Sequence, residues 1–498
     1  MEDKKATTTA AASPVDEKLE EVKKLDVPVT SPEDVESDRR ITQKLDFHIL
    51  PWVFVLWLLA FIDRSNIGNA KLDGLATDLH LTGTKYNVAL TVFYILYVLL
   101  DIPSNWLLKY VGGGRYLPLI AIAWGIVGTC MGAVKSYGGL IACRLLLGAC
   151  EGGMFGGIIL YLSMFYKRHQ LMFRLGIFYC AAPLSGAFGG LLATGLAEIR
   201  YGGYRGWPWI FFVEGSITIV VAMVAFLFLP NTPGAAKFLS EEERDLAVRR
   251  LHIDLYGDVG VVSVEEAKFS WEEVRVALLN VNTIVMSLNF FLILVPVYSY
   301  SLFLPTIISG LGYKRVTAQL LTVPPNFVAF LSVIAFAWTS DKIKKRGPLI
   351  AAGLLIATVG YIMQLASDDN AVKYAGTFFV AVGAFPCSPL VLAWLGNNLA
   401  PHTTKATGLG CQVAIGNCGA FVATFTYLSK DAPSYTTGHA INLGAIGLSM
   451  MLTVGNILYI RRENSQRRRG KRDYRLASAA VGGERRLGCR HPNFKYTT

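Results

Sequence analysis

Two stretches of the chain put ionisable residues where hydrocarbon-compatible ones would be expected. "RLLLGACEGG" (144–153) carries Arg144 and Glu151, and "FIDRSNIGNA" (61–70) carries Asp63 and Arg64, each inside an apolar run. A charge at the centre of a membrane helix costs at least ~2.5–3.5 kcal/mol, so each must meet a partner or a watery cavity. The chemistry open to these groups is narrow. A guanidinium presents a planar fork of donors that matches a carboxylate, and a carboxyl group kept from bulk water can load and release a proton. Arg144 and Glu151 are seven residues apart, which puts them on one helix face but about 10 Å apart along its axis. That is too far for a direct pair. Gly148, Gly152 and Gly156 recur every fourth residue, a small-residue ridge that allows close helix approach. One face of this helix is therefore suited to packing and another to an internal polar cavity.

The elements that must hold these residues are membrane helices. Of 498 residues, 53% are hydrophobic and only 17% charged, and the mean hydropathy is +0.41, well above soluble averages. Apolar stretches of roughly 20 residues, the length that spans hydrocarbon, fall at 48–69, 86–110, 117–135, 139–165, 173–197, 207–229, 282–305, 317–340, 348–366, 373–396, 405–428 and 438–461. No barrel-type alternation is present, so the fold class is an all-α membrane protein. The chain divides into a polar, disordered tail (1–46), a first six-helix half (47–229), a polar linker (230–281), a second six-helix half (282–461) and a basic tail (462–498). The linker holds "SEEERDLAVRRL" (240–251), in which Ser240 and Glu243 have capping-box spacing and acids lead arginines, so a surface helix is expected there.

Lys and Arg cluster before the first span and after the second, fourth, eighth and twelfth, with Arg200 and Arg205 as exceptions. The positive-inside bias then places both termini in the cytoplasm. The net charge of +11 is mostly this topology signal, with attraction to anionic lipid compatible and nucleic-acid binding not indicated. Cys143 with Cys150, and Cys411 with Cys418, are spaced for helix packing and not for zinc. No HExxH and no phosphate-binding Gly-Lys-Ser/Thr occurs. No metal, cofactor or enzymatic constellation is expected, and no motor driven by the chain's own ATP hydrolysis.

The two halves echo each other. "DIPSNWLLKYVGGGR" (101–115) lies between spans two and three, and "TSDKIKKRG" (339–347) between spans eight and nine. Here the chain resembles the major facilitator superfamily, whose basic, glycine-rich Asp motif sits in those two loops. Asp341, Lys342, Lys345 and Arg346 match it. The first copy departs, with Lys109 at the aspartate position and Asp101 further back. The resemblance implies a twelve-helix fold, two six-helix halves around a central cavity, and gating roles for Asp341, Lys342, Arg346 and Asp101. Asp341 would pair with cations across the gap between the halves. Within the superfamily, "FIDRSNIGNA", "RLLLGACEGG", "FFVEGSITIV" (211–220) and "YLSKDAPSY" (427–435) look like the anion:cation symporter family. The fungal branch of allantoate, pantothenate and nicotinic-acid permeases is the closest, and "HPNFKY" (491–496) looks most like its nicotinic-acid members.

That resemblance implies carboxylate binding by Arg64 and Arg144 and proton carrying by Glu151. Asp63 is the next proton candidate, or simply neutralises Arg64 in the empty state. Asn69, Asn326, Gln412 and Asn417 are candidate donors to a substrate, with interhelical bonding as the alternative. Phe93, Tyr94, Tyr298 and Tyr300 can stack on a flat ring, or serve core packing. Glu214 reads as structural. The expected function is proton-coupled import of a small organic carboxylate, nicotinate or a related vitamin or ureide anion, across the fungal plasma membrane by a monomer. Efflux of an acidic metabolite by the same fold, a non-transporting receptor and a membrane enzyme are the alternatives.

Overall fold

The computed structural model describes residues 32–196, 198–201, 203–256, 271–400, 402–475 and 488–498. Most of the 1–46 tail, the linker residues 257–270 and the tail residues 476–487 therefore lie outside the described residues. Eleven helices among those described are long and apolar enough to cross a membrane. The twelfth span, the second in chain order, is broken into Lys85–Leu99 and Asp101–Val111. Spans alternate in direction, so both ends of the spanning region emerge on one side. We call this the terminal face and the opposite one the far face.

The helices begin and end for local reasons. Span four runs Tyr137–Glu151, starts on the Ser136 side chain accepting from the Gly139 amide, and stops at Gly152–Gly153. Gly153 takes φ 85°, left-handed backbone that suits only glycine well, and the helix resumes as Met154–Ser163. The glycine ridge does what its spacing suggests. A Cβ on Gly148 would overlap the Phe93 carbonyl, and one on Gly152 would lie 2.9 Å from the Tyr97 carbonyl. Span four thus presses directly on the backbone of span two.

The two ends of the spanning region are more ordered than a reading of composition suggests. Span one starts at Pro32, well before the expected boundary at 46. Its added turns are held by the linker helix Glu241–Tyr256, where Arg250 meets Asp38 at 3.1 Å and Lys44 donates to Glu243 at 2.6 Å. The capping box is formed, with the Glu243 amide donating to Ser240 Oγ (3.3 Å) and the Ser240 amide to the Glu243 carboxylate (3.0 Å). The linker helix thereby braces the first half. At the other end, residues 488–498 fold back onto the second half. Arg467 donates to the carbonyls of Cys489, His491 and Phe494, and lies over the Tyr496 ring at 4.3 Å. Trp394 and Asn398 both donate to the Thr497 carbonyl. Composition reads this segment as a free basic tail; an aromatic anchor and an arginine that satisfies three backbone carbonyls hold it down instead.

The halves meet toward the far face. Asn87 of span two donates to the Thr424 carbonyl at 2.6 Å and the Tyr427 carbonyl at 3.4 Å. Thr91 and Thr424 share a hydrogen bond of 2.7 Å, and Gln319 donates to Asp73 at 2.9 Å. Gly186 and Gly190 of span five leave room for Asn326 and Thr322 of span eight, so close that a Cβ at either would collide.

Candidate functional site

A narrow cavity lies between the halves, lined by Arg64, Asn69, Tyr94, Tyr298, Tyr300 and Asn326 among others. Its defining charge is Arg64. Arg64 is 4% exposed, and its guanidinium donates to Glu151 at 2.8 Å. Three rings surround it, with centroids of Phe61 and Phe93 at 5.2 Å and Tyr97 at 4.7 Å. Aromatic faces stabilise a desolvated cation, and Glu151 neutralises it. The pair is incomplete on both sides: Arg64 Nε and Glu151 Oε1 have no hydrogen-bond partner. Glu151 is the last helical residue before the Gly152–Gly153 break. The close approach of spans two and four and the break after it together carry this carboxylate to Arg64.

The neighbouring charges take positions that helix spacing does not dictate. Asp63 adjoins Arg64 in sequence but turns away from it, accepting from Trp124 Nε1 (3.1 Å) and Thr218 Oγ1 (3.2 Å) of spans three and six. Consecutive helix residues point about 100° apart, so Asp63 faces its own half while Arg64 faces the cavity. The empty-state neutralisation expected of Asp63 is made by Glu151 instead. Arg144 is 1% exposed and does not line the cavity in this conformation. Its Nε and Nη2 have no partners, and the nearby Tyr86 and Tyr94 hydroxyls are likewise unpaired. Glu214 is buried with both oxygens unpartnered.

The amides divide. Asn69 and Asn326 reach the cavity. Gln412 does not; it donates to the Met286 and Val391 carbonyls and so ties spans seven, ten and eleven together. Asn417 also stands behind the cavity wall, where it accepts from the Tyr298 hydroxyl at 3.0 Å. Both are corrections to the expected substrate contacts, and the cause is plain: a buried amide in a helix bundle first satisfies its neighbours. Of the aromatics, Tyr94, Tyr298 and Tyr300 line the cavity, with Tyr94 and Tyr298 facing each other across the halves at 5.5 Å, while Phe93 packs behind Arg64. Sequence reading missed Ser65, Ser301 and Thr322 in the lining and Tyr97 beside Arg64. Tyr97 follows Tyr94 by three residues, the helical spacing of a shared face, which was the available signal.

The gating residues are arranged locally. Asp341 is 61% exposed at its side chain and lies 3.9 Å from Arg346 in its own half, and Lys342 sits 5.0 Å over the Trp338 ring. The pairing across the gap expected of Asp341 is not made here. Arg346 instead also donates to the Ala393 carbonyl, which helps dock span nine on span ten. Asp101 sits at the break of span two, half-buried, with Asn105 donating to it at 3.4 Å.

Comparison with known proteins agrees with this architecture. The family model described as Major Facilitator Superfamily matches residues 53–424. An uncharacterized transporter of Schizosaccharomyces pombe is 37% identical over 87% of this chain and 86% of its own length. The high-affinity nicotinic acid transporter of Saccharomyces cerevisiae is 33% identical over 92% of this chain and 85% of its own. Among solved structures, a D-xylose–proton symporter superimposes with a TM-score of 0.63 at 14% identity, over 82% of this chain and 97% of that one. A bacterial homologue of the human lysosomal transporter Spinster gives 0.60 at 16% identity, over 81% and 94%. With the family model matching most of the chain and fungal transporters aligned along nearly its whole length, this protein belongs to the Major Facilitator Superfamily and is a multi-pass membrane transporter.

Proposed function

We propose that this transporter is a proton-coupled symporter that imports a small organic carboxylate, with nicotinate the leading cargo. The observation that carries this reading is the Arg64–Glu151 pair at the cavity wall, 2.8 Å long and buried. An incoming carboxylate competes with Glu151 for Arg64, the one guanidinium among the described residues that reaches the cavity. Once Arg64 turns to the substrate, the Glu151 carboxylate is left in a site that disfavours its charge, and it takes a proton. Substrate and proton then travel together, and release of both restores the pair. Arg144, buried behind the cavity with unpaired donors, adds positive potential near Glu151, and Asp63 is the second proton site. Tyr94, Tyr298 and Tyr300 supply faces for a flat ring. The relative named as a high-affinity nicotinic acid transporter adds support for an aromatic acid as cargo.

In this reading the terminal face is cytoplasmic, following the Lys and Arg bias of its loops, and a monomer in the plasma membrane is the working unit. The halves rock about the central site, with the Asn87, Thr91 and Gln319 contacts closing the outer side. The test is uptake of radiolabelled nicotinate by fungal cells that lack their own nicotinate carrier and express this chain. Accumulation that rises as the medium is acidified and collapses with a protonophore supports the proposal, and competition by carboxylate vitamins and ureides ranks the cargo. Faster loss of label from preloaded cells, without concentrative uptake, would establish export instead.

A further inference from the structure

A second polar hollow opens on the far face of the second half, away from the central cavity. The outer ends of spans seven, nine, ten and twelve form its walls, and the 433–435 loop closes one side. Three side chains give it a definite chemistry. Lys373 is half-buried, and no carboxylate pairs with it among the described residues. His439 is 4% exposed, and its Nδ1 lies 3.1 Å from the Tyr427 hydroxyl. Asn442 donates to that same hydroxyl oxygen, so the Nδ1 side of the ring is tied into a polar network and its other nitrogen is left for an occupant of the hollow. Gln364 is 6% exposed, and its Oε1 has no hydrogen-bond partner.

The hollow therefore offers one cation, one imidazole ring and one orphaned acceptor. A buried carbonyl oxygen without a partner costs about 1–3 kcal/mol, and an occupant that supplies a donor removes that cost. We infer that this hollow is a second binding site, outside the transport cavity, for a small carboxylate that also carries an O–H or N–H donor. The carboxylate meets Lys373 and the His439 ring in its Nε2-protonated tautomer, and the donor meets Gln364 Oε1. The site stands one hydrogen bond from Tyr427, whose carbonyl accepts from Asn87 of the other half. An occupant thus abuts a residue of the contact between the halves.

The test uses the full chain in lipid nanodiscs with Ser434→Cys, an exposed position on the rim of the hollow. Modification of that cysteine by a maleimide is followed by mass spectrometry, with glycolate and acetate as matched probes with and without a hydroxyl donor. At a glycolate concentration about four times its Kd, labelling slows about fivefold. Acetate protects less, Lys373→Met abolishes protection, and Gln364→Leu erases the difference between the two acids. Arg64→Ala, in the central cavity, leaves protection intact, which separates this site from the transport site. Labelling that neither acid slows, protection that survives Lys373→Met, or equal protection by both acids in the parent would overturn the inference.

Discussion

Replacing Glu151 with glutamine tests the central pair most directly. Glu151→Gln keeps the shape and hydrogen-bonding reach of the side chain and removes its charge. In the empty carrier the change leaves Arg64 buried among Phe61, Phe93 and Tyr97 with no carboxylate against it. Removing one partner of a buried pair costs about 3–5 kcal/mol, so the purified variant should melt well below the parent. The same loss favours substrate. In the parent, a carboxylate must displace Glu151 from a contact 2.8 Å long. At an effective dielectric near 20, unit charges about 4 Å apart attract by about 4 kcal/mol, and desolvation offsets part of this. Relief of about 2 kcal/mol corresponds to roughly thirtyfold tighter binding. Equilibrium binding of the carboxylate identified by the uptake screen should show that gain, and saturating ligand should recover much of the lost melting temperature. Concentrative uptake should vanish while exchange between preloaded vesicles persists. Weaker carboxylate binding by the variant, or uptake that still follows a proton gradient, would refute the displacement mechanism and move the proton site to Asp63.

Three further outcomes follow from the packing and the surface charges. Gly148→Ala drives a methyl into the Phe93 carbonyl and should cost about 1–3 kcal/mol, whereas Gly138→Ala, with open space around it, should leave the melting temperature nearly unchanged. Asn87→Ala removes its hydrogen bonds to the Thr424 and Tyr427 carbonyls. A bond worth about 0.5–1.5 kcal/mol translates into a several-fold larger far-side-open population, read as faster labelling of Ser301→Cys by an impermeant reagent added from that side. The Lys44 ammonium, which donates to the Glu243 carboxylate, holds Glu243 below the ordinary glutamate value, with the Ser240 amide adding to the effect. A depressed folded-state value stabilises the linker helix above the unfolded pKa, and that stability is lost as pH falls through the folded value. Protection factors for hydrogen exchange across 240–251 should therefore fall below about pH 4.5 in the parent, and Glu243→Gln should shrink that pH step, the Asp38–Arg250 pair supplying the remainder.

Much of this protein was determined along the chain itself, because the signals involved are local. Twelve apolar stretches, the capping box at Ser240 and Glu243, the glycine ridge of span four and the placement of Arg64 in a polar interior all follow from composition and the helical period. Only the tertiary structure decided which charges meet. Spacing excluded an Arg144–Glu151 pair but named no partner for Glu151. The Gly152–Gly153 break and the contact between spans two and four brought it to Arg64. Asp63, one residue from Arg64, was claimed by Trp124 and Thr218, and Gln412 by two backbone carbonyls. The terminal segment, polar by composition, was anchored by Tyr496 and Arg467. A helix's period tells which residues share a face, but the direction in which that face points depends on kinks and crossings with helices hundreds of residues away. Ion pairs and buried amides are short-ranged and obligatory in a dry interior, so those directions decide what each one binds.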